Sequence, residues 1–286
     1  MGMMSHNRER NGRSRWGSAQ RVLAWLGGLA GTLLILMVLL NLLAPRLMER
    51  LILGPTPTPL SSLTPGPPKA AIVDQTGFSF PSPEFIAKAR EYLEESGYGV
   101  DLYPPEEVTV PFFRTLPQKG YQLILFQTHS TSEVVVEGGG VDASSYPSGP
   151  FLFTAELYDK RRYIRLQIED QIRASKLFYE DSPMLFAIGP KFIRSSMSGL
   201  FPATVIIIGG CQSLAAPDLA QAFLDRGASV VIGWDGIVDL SHNNRAILHL
   251  LRALAVEGLP LQRAVEETME EIGPDPTYGS VLSHLP

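Results

Sequence analysis

Two side chains in this 286-residue sequence have the type and the setting for nucleophilic chemistry: Cys211 and His129. Cys211, the only cysteine, follows the β-branched run Thr204–Ile208 and two glycines in ATVIIIGGCQSL. Such a run has the composition of a strand buried on both faces. A strand that ends in small residues and leads into a helix carries its thiol out of the sheet's carboxyl edge, where open α/β sheets bind ligands. His129 stands one residue beyond a second apolar run, YQLILFQ (Tyr121–Gln127), 82 positions before the cysteine.

If the two strands are parallel neighbours, imidazole and thiol share one crevice. A free thiol of pKa about 8.5 is a few per cent thiolate at neutral pH; an adjacent imidazole raises that fraction and later protonates a leaving amine. Gly209 and Gly210 permit close approach of a peptide, and the N–H groups of Cys211 and of the loop after His129 could donate to a tetrahedral oxyanion. Taken singly, each residue has a plainer reading, the cysteine as a small apolar filler and the histidine as a hydrogen-bonded loop residue. The pair, each just past a buried strand, is what points to chemistry.

The surrounding pattern has to supply those strands. Lys69–Asp74 (KAAIVD), Gly99–Tyr103 and Ala228–Trp234 read as further strands. Glu84–Ser96, Pro217–Arg226, Asn243–Val256 and Leu261–Ile272 read as helices, with Gly97 and Gly227 ending the first two. This alternation predicts a mainly parallel sheet with helices on both faces. Gly279–Leu285 fits an edge strand. Residues 130–150 are loop-rich, and Gly138, Gly139 and Gly140 read as a flexible flap. Phe151–Tyr158 and Tyr163–Ile168 pair as a hairpin, or the second begins a helix running to Phe178.

Charge divides the chain. Residues 1–54 carry seven Arg against two Glu, a surplus of five, so the formal charge of −5 leaves ten excess acidic charges on the rest. An acidic main domain argues against nucleic acid as a partner. Residues 1–21 are polar and basic, and Val22–Ala44 follows without a charge, 23 residues long enough to span a hydrocarbon core of roughly 30 Å. That length exceeds the apolar region of a cleavable signal peptide, roughly 7–15 residues, so the segment reads as an anchor. Five arginines before it outweigh Arg46 and Arg50 after it, which sets the amino terminus in the cytoplasm and the main domain outside. Residues 45–68, rich in Pro, Thr and Ser, read as a stalk, and the domain is expected over 69–286. One cysteine excludes an intrachain disulfide and a Cys-rich metal site. His242 and His249 are seven apart, not the i, i+3 or i+4 of a metal pair, so no metal ligand set is expected. Ser130, Ser213 and Ser241 lack a G-x-S-x-G setting.

From Lys69 onward the chain resembles the caspase-like cysteine peptidases of clan CD, most closely their CHAT branch. The resemblance rests on YQLILFQTHS, TVIIIGGCQSL, the helix DLAQAFLDRGA and the strand ASVVIGWDGIVD, and covers residues 200–270 best. It implies a three-layer α/β/α sandwich, with Cys211 as nucleophile and His129 as general base and acid. It also implies a thioester intermediate and no cofactor, on a peptide or protein substrate. Ser130 stands where the family usually has the glycine that supplies an oxyanion N–H; with Gly210 it would line the oxyanion position. Trp234 and Asp235 fall near the family's substrate pocket, and Asp74 ends the first strand at the same edge. Carboxylates there would suit Arg or Lys at the scissile position, as in the gingipain branch; as plain structure they are strand-end hydrogen-bonding residues. The alternatives are a catalytically silent binding or scaffolding domain on the same fold, and a small-molecule hydrolase or transferase using the same dyad.

Overall fold

The computed structural model describes residues 66–131, 149–177 and 181–286. These belong to one compact unit, Pro65–Pro286; the other, Met1–Thr64, lies outside the described residues, and with it the expected span over 22–44. The glycines at 138–140 lie outside them too. Among the described residues no helix is long and apolar enough to cross a membrane.

Among the described residues ten strands form two sheets. In chain order they are β1 (Lys69–Asp74), β2 (Gly99–Tyr103), β3 (Leu123–Gln127), β4 (Ser130–Thr131), β5 (Phe151–Leu157), β6 (Ile172–Lys176), β7 (Met184–Ile188), β8 (Val205–Gly209), β9 (Val230–Trp234) and β10 (Leu282–Leu285). The larger sheet runs β10-β9-β8-β3-β1-β2 and is parallel except for β10, an antiparallel edge on β9. The α-helices of the described residues are α1 (Pro83–Glu95), α2 (Val110–Thr115), α3 (Ile164–Ile168), α4 (Pro190–Ser196), α5 (Asp218–Leu224), α6 (Leu240–Leu251) and α7 (Leu261–Glu271).

The continuous apolar runs have a direct cause. Successive side chains of a strand point to opposite faces, and both faces of this sheet are covered. Ala71, Val73, Ile124, Phe126, Ile206 and Ile208 enter one core with α2, α4 and α5. Ala70, Ile72, Leu123, Leu125 and Ile207 enter the other with α1, α6 and α7. The parallel α/β layering follows. In α1, Phe85, Ile86, Ala89 and Leu93 line the buried face at helical spacing, and Gly97 takes φ +85° just past its end. The chain leaves β1 toward β2 on one side and returns as β3 on the other. The strand order therefore reverses between β1 and β3, the kind of point where open sheets form a ligand crevice.

The smaller sheet, β4-β5-β7-β6, is antiparallel throughout and corrects the reading of 151–178. Phe151–Leu157 is a strand, but its partners are β4 and β7. Residues 163–168 are neither a hairpin arm nor the start of a helix to Phe178; α3 spans five residues and stops. Its capping residue Tyr163 sits at φ +52°, and Asp170 at φ +56° turns the chain into β6. The strand β6 (IRASK) alternates imperfectly, and Glu156 is buried within β5 against Arg162 at 2.7 Å. No apolar period announces such strands.

Candidate functional site

Strands β3 and β8 are parallel neighbours with Gln127 opposite Gly209. Two residues further on each strand stand His129 and Cys211, both half-buried, so the two come off adjacent strand ends at the same level. The neighbouring strand on the histidine side, β1, ends in Asp74 opposite Gln127. On the cysteine side, β9 ends in Trp234, followed by Asp235. Four strand ends in a row thus carry Asp74, His129, Cys211 and Asp235.

Glycines permit the close approach. A Cβ on Gly210 would lie 2.6 Å from Ser130 Oγ and closer still to Thr128 O, and one on Gly209 2.7 Å from Gln127 Oε1. Across this contact Ser130 Oγ donates to the Cys211 carbonyl. On the far flank the Gln212 N–H donates to Gly236 O at 2.7 Å. The peptide that follows the cysteine is thereby held at both ends, and Gln212 adopts φ +56°, a left-handed conformation uncommon for a residue with a side chain.

The histidine is held differently. Its N–H donates to Gln75 Oε1 at 2.9 Å, and the same oxygen receives the Thr128 hydroxyl at 3.3 Å. Gln75 is itself buried, with Nε2 donating to Thr154 O at 3.2 Å. The imidazole Nε2 meets Ser79 Oγ at 2.9 Å, and the ring lies edgewise to Phe80 and Phe153. Burial pushes its pKa down to about 4, so the ring is neutral at physiological pH.

The thiol points the other way. Cys211 Sγ lies 3.6 Å from Val238 O, and no hydrogen bond joins it to His129. Burial pushes the thiol pKa up, and the Asp275 carboxylate adds to that. This is a neutral thiol beside a neutral imidazole, not an ion pair.

The remaining expected residues are spread along the rim. Of the amides at the two strand ends, those of His129 and Gln212 are already bonded, to Gln75 Oε1 and Gly236 O. Phe153 N–H donates to His129 O at 2.9 Å, so Ser130 faces Leu152 at a non-hydrogen-bonded position and its N–H turns away from β5. Asp235 is exposed, and its Oδ1 accepts the Val281 N–H at 2.7 Å, tying β10 to the rim. Asp74 is half-buried, accepts the Thr76 hydroxyl at 3.2 Å and has its pKa raised by burial. Trp234 is fully buried, with Nε1 donating to Asn243 Oδ1 at 2.8 Å; it packs behind the rim rather than lining it.

Sequence reasoning missed the braces of the site. Gln127 joins Asn243 (3.3 Å) and Asn244 (2.9 Å) of α6 beneath the strand ends, and Gln75 and Ser79 hold the histidine. The glutamine closing LILFQ was a visible signal, being a polar residue in a run otherwise buried on both faces. Nothing near Ser79 marks it out. Among the described residues no group of His, Cys, Asp and Glu side chains is arranged to hold a metal ion. No protein-family model matches this chain, and no curated protein matches it either.

Proposed function

We propose that residues 69–286 are a caspase-like cysteine peptidase domain of the three-layer α/β/α type. In this reading residues 22–44 tether it to the membrane, with residues 1–21 in the cytoplasm and the domain outside. One observation carries the catalytic part: β3 and β8 are adjacent, parallel and in register, so His129 and Cys211 leave neighbouring strand ends beside the point where strand order reverses. The left-handed Gln212 directly after the cysteine adds to it.

In the reaction, neutral His129 takes the thiol proton as Sγ attacks the scissile carbonyl. The Cys211 and Ser130 amides hold the oxyanion, and the imidazolium gives its proton to the leaving amine, leaving a thioester that water hydrolyses. The resting pair must first turn toward each other, the imidazole leaving Ser79 and the thiol leaving Val238. Asp235, exposed on the cysteine flank, favours Arg or Lys at the scissile position, with Asp74 on the opposite flank as a second carboxylate. A panel of fluorogenic peptides tests this: hydrolysis after Arg or Lys, lost in Cys211→Ala, is expected, and a preference for Leu or Asp refutes the basic pocket.

The neutral, uncoupled pair also favours a second reading, a silent binding or scaffolding domain displayed on the membrane. Labelling with iodoacetamide or a peptidyl acyloxymethyl ketone separates the two. Modification of Cys211 that depends on His129 supports the enzyme; an inert thiol supports the scaffold.

A further inference from the structure

We propose that a cavity walled by the ends of α2 and α4 and by α3 binds a phosphate monoester. The cavity has a volume of about 730 Å³, within the range of small-ligand sites. Its walls include Arg114 at the end of α2, Ile164, Arg165 and Glu169 on and beside α3, and Ser195 and Ser198 at the end of α4. Arg114 and Ser198 lie just upstream of β3 and β8, and the Ser198 N–H donates to Arg114 O at 2.7 Å. None of the residues lining the cavity belongs to the rim that holds His129 and Cys211. It stands independently of the peptidase reading.

The charge there runs against that of the domain. Arg165 and Glu169 pair at 2.7 Å and cancel. The Arg114 guanidinium and the Ser195 and Ser198 hydroxyls have no hydrogen-bond or ionic partner among the described residues. Behind the turn, Arg226 spreads its guanidinium over the carbonyls of Met197 (2.7 Å), Arg194 (3.4 Å) and Gly199. Among the described residues Arg226 pairs with no carboxylate, and its Nε is buried without a partner. Arg114 thus lines the cavity and Arg226 braces the turn behind it, neither paired with a carboxylate among the described residues, in a domain that is acidic overall.

A phosphate monoester carries about −1.5 to −2 charge and three acceptor oxygens, which matches both the charge and the free donors. Arg114 supplies the planar fork, the two serines supply hydroxyl donors, and Ile164 offers apolar surface to the organic part.

The test is calorimetric titration of the full-length chain, in non-ionic detergent and chloride buffer, with phenyl phosphate and separately with benzoate. Saturable binding of phenyl phosphate is expected, tighter than that of benzoate. Arg114→Ala should weaken it at least about tenfold, the loss of one charge-assisted pair, with an unchanged thermal midpoint. Ser198→Ala should weaken it about threefold, the loss of one neutral hydrogen bond. No saturable binding below about 10 mM, a Kd beyond the weak end of small-ligand affinities, overturns the proposal. Unchanged binding in Arg114→Ala, or benzoate bound as tightly as phenyl phosphate, overturns it as well.

Discussion

Beyond β3 the chain is held by side chains, Gln75 on the His129 amide and Ser79 on its ring. Beyond β8 it is held through its own peptide, with Ser130 on the Cys211 carbonyl and Gly236 on the Gln212 amide. The imidazole therefore keeps a replaceable partner, whereas the thiol rides on a backbone that glycine packing and a left-handed residue leave little room to shift. In the proposed peptidase the side chain that carries protons would have to swing between partners and the one that forms a bond would have to start from a fixed place; the two strand ends would divide those demands between them.

The largest effect that could break this comparison is on the chemistry. His129→Ala should lower peptide hydrolysis about a thousandfold, as loss of a general acid–base does, measured as kcat/KM on the best fluorogenic substrate. Equal activity in the variant would leave the histidine end without a role.

Next comes pH. The native imidazole has its pKa held down to about 4 by burial, below its ordinary value near 6.5. The unfolded chain therefore takes up a proton that the fold refuses, and stability falls as pH drops from about 6.5 to about 4, with no effect from this group above that window. The loss is on the order of 3 kcal/mol. Urea midpoints at the two ends of the window should show it in the native chain and not in His129→Ala.

On the cysteine end, Gly210→Ala should destabilise by about 2–3 kcal/mol, because the added carbon meets a backbone carbonyl that cannot move aside. The counterpart on the histidine end is Gln75→Ala, expected to cost about 2 kcal/mol by leaving the His129 N–H without its acceptor inside the fold. Urea denaturation ranks them, and the reverse order would contradict the division between backbone and side-chain support. The smallest effect is that of Ser79→Gly, which opens the ring to water. Its titration midpoint, followed by NMR, should rise from about 4 toward the ordinary value with little change in stability.

The parallel strands were legible because burial on both faces leaves an unbroken apolar word. KAAIVD and GVDLY begin and end where expected, and LILFQ and VIIIG within a residue or two. The helix read from Asn243 begins earlier, at Leu240, because Asp239 caps it through the Ser241 and His242 amides. Of the smaller sheet only β5 was legible, as the run from Phe151; its partners were not. The sheet's strands mix buried Glu156 and Thr154 with exposed Leu157 and Met184, and β4 is only two residues long. In the same way Trp234, placed near the substrate pocket by the family resemblance, turned out to face the core.

The sequence by itself determined the alternation of strand and helix, the two apolar runs and the residues that end them, because hydrophobic periodicity is written locally. Only the tertiary structure decided that those runs are neighbours in register, that Ser79 and Val238 rather than each other are the partners of imidazole and thiol, and that Arg114 meets the 195–198 turn. Each depends on pairing and side-chain direction between segments tens of residues apart. No local pattern encodes that.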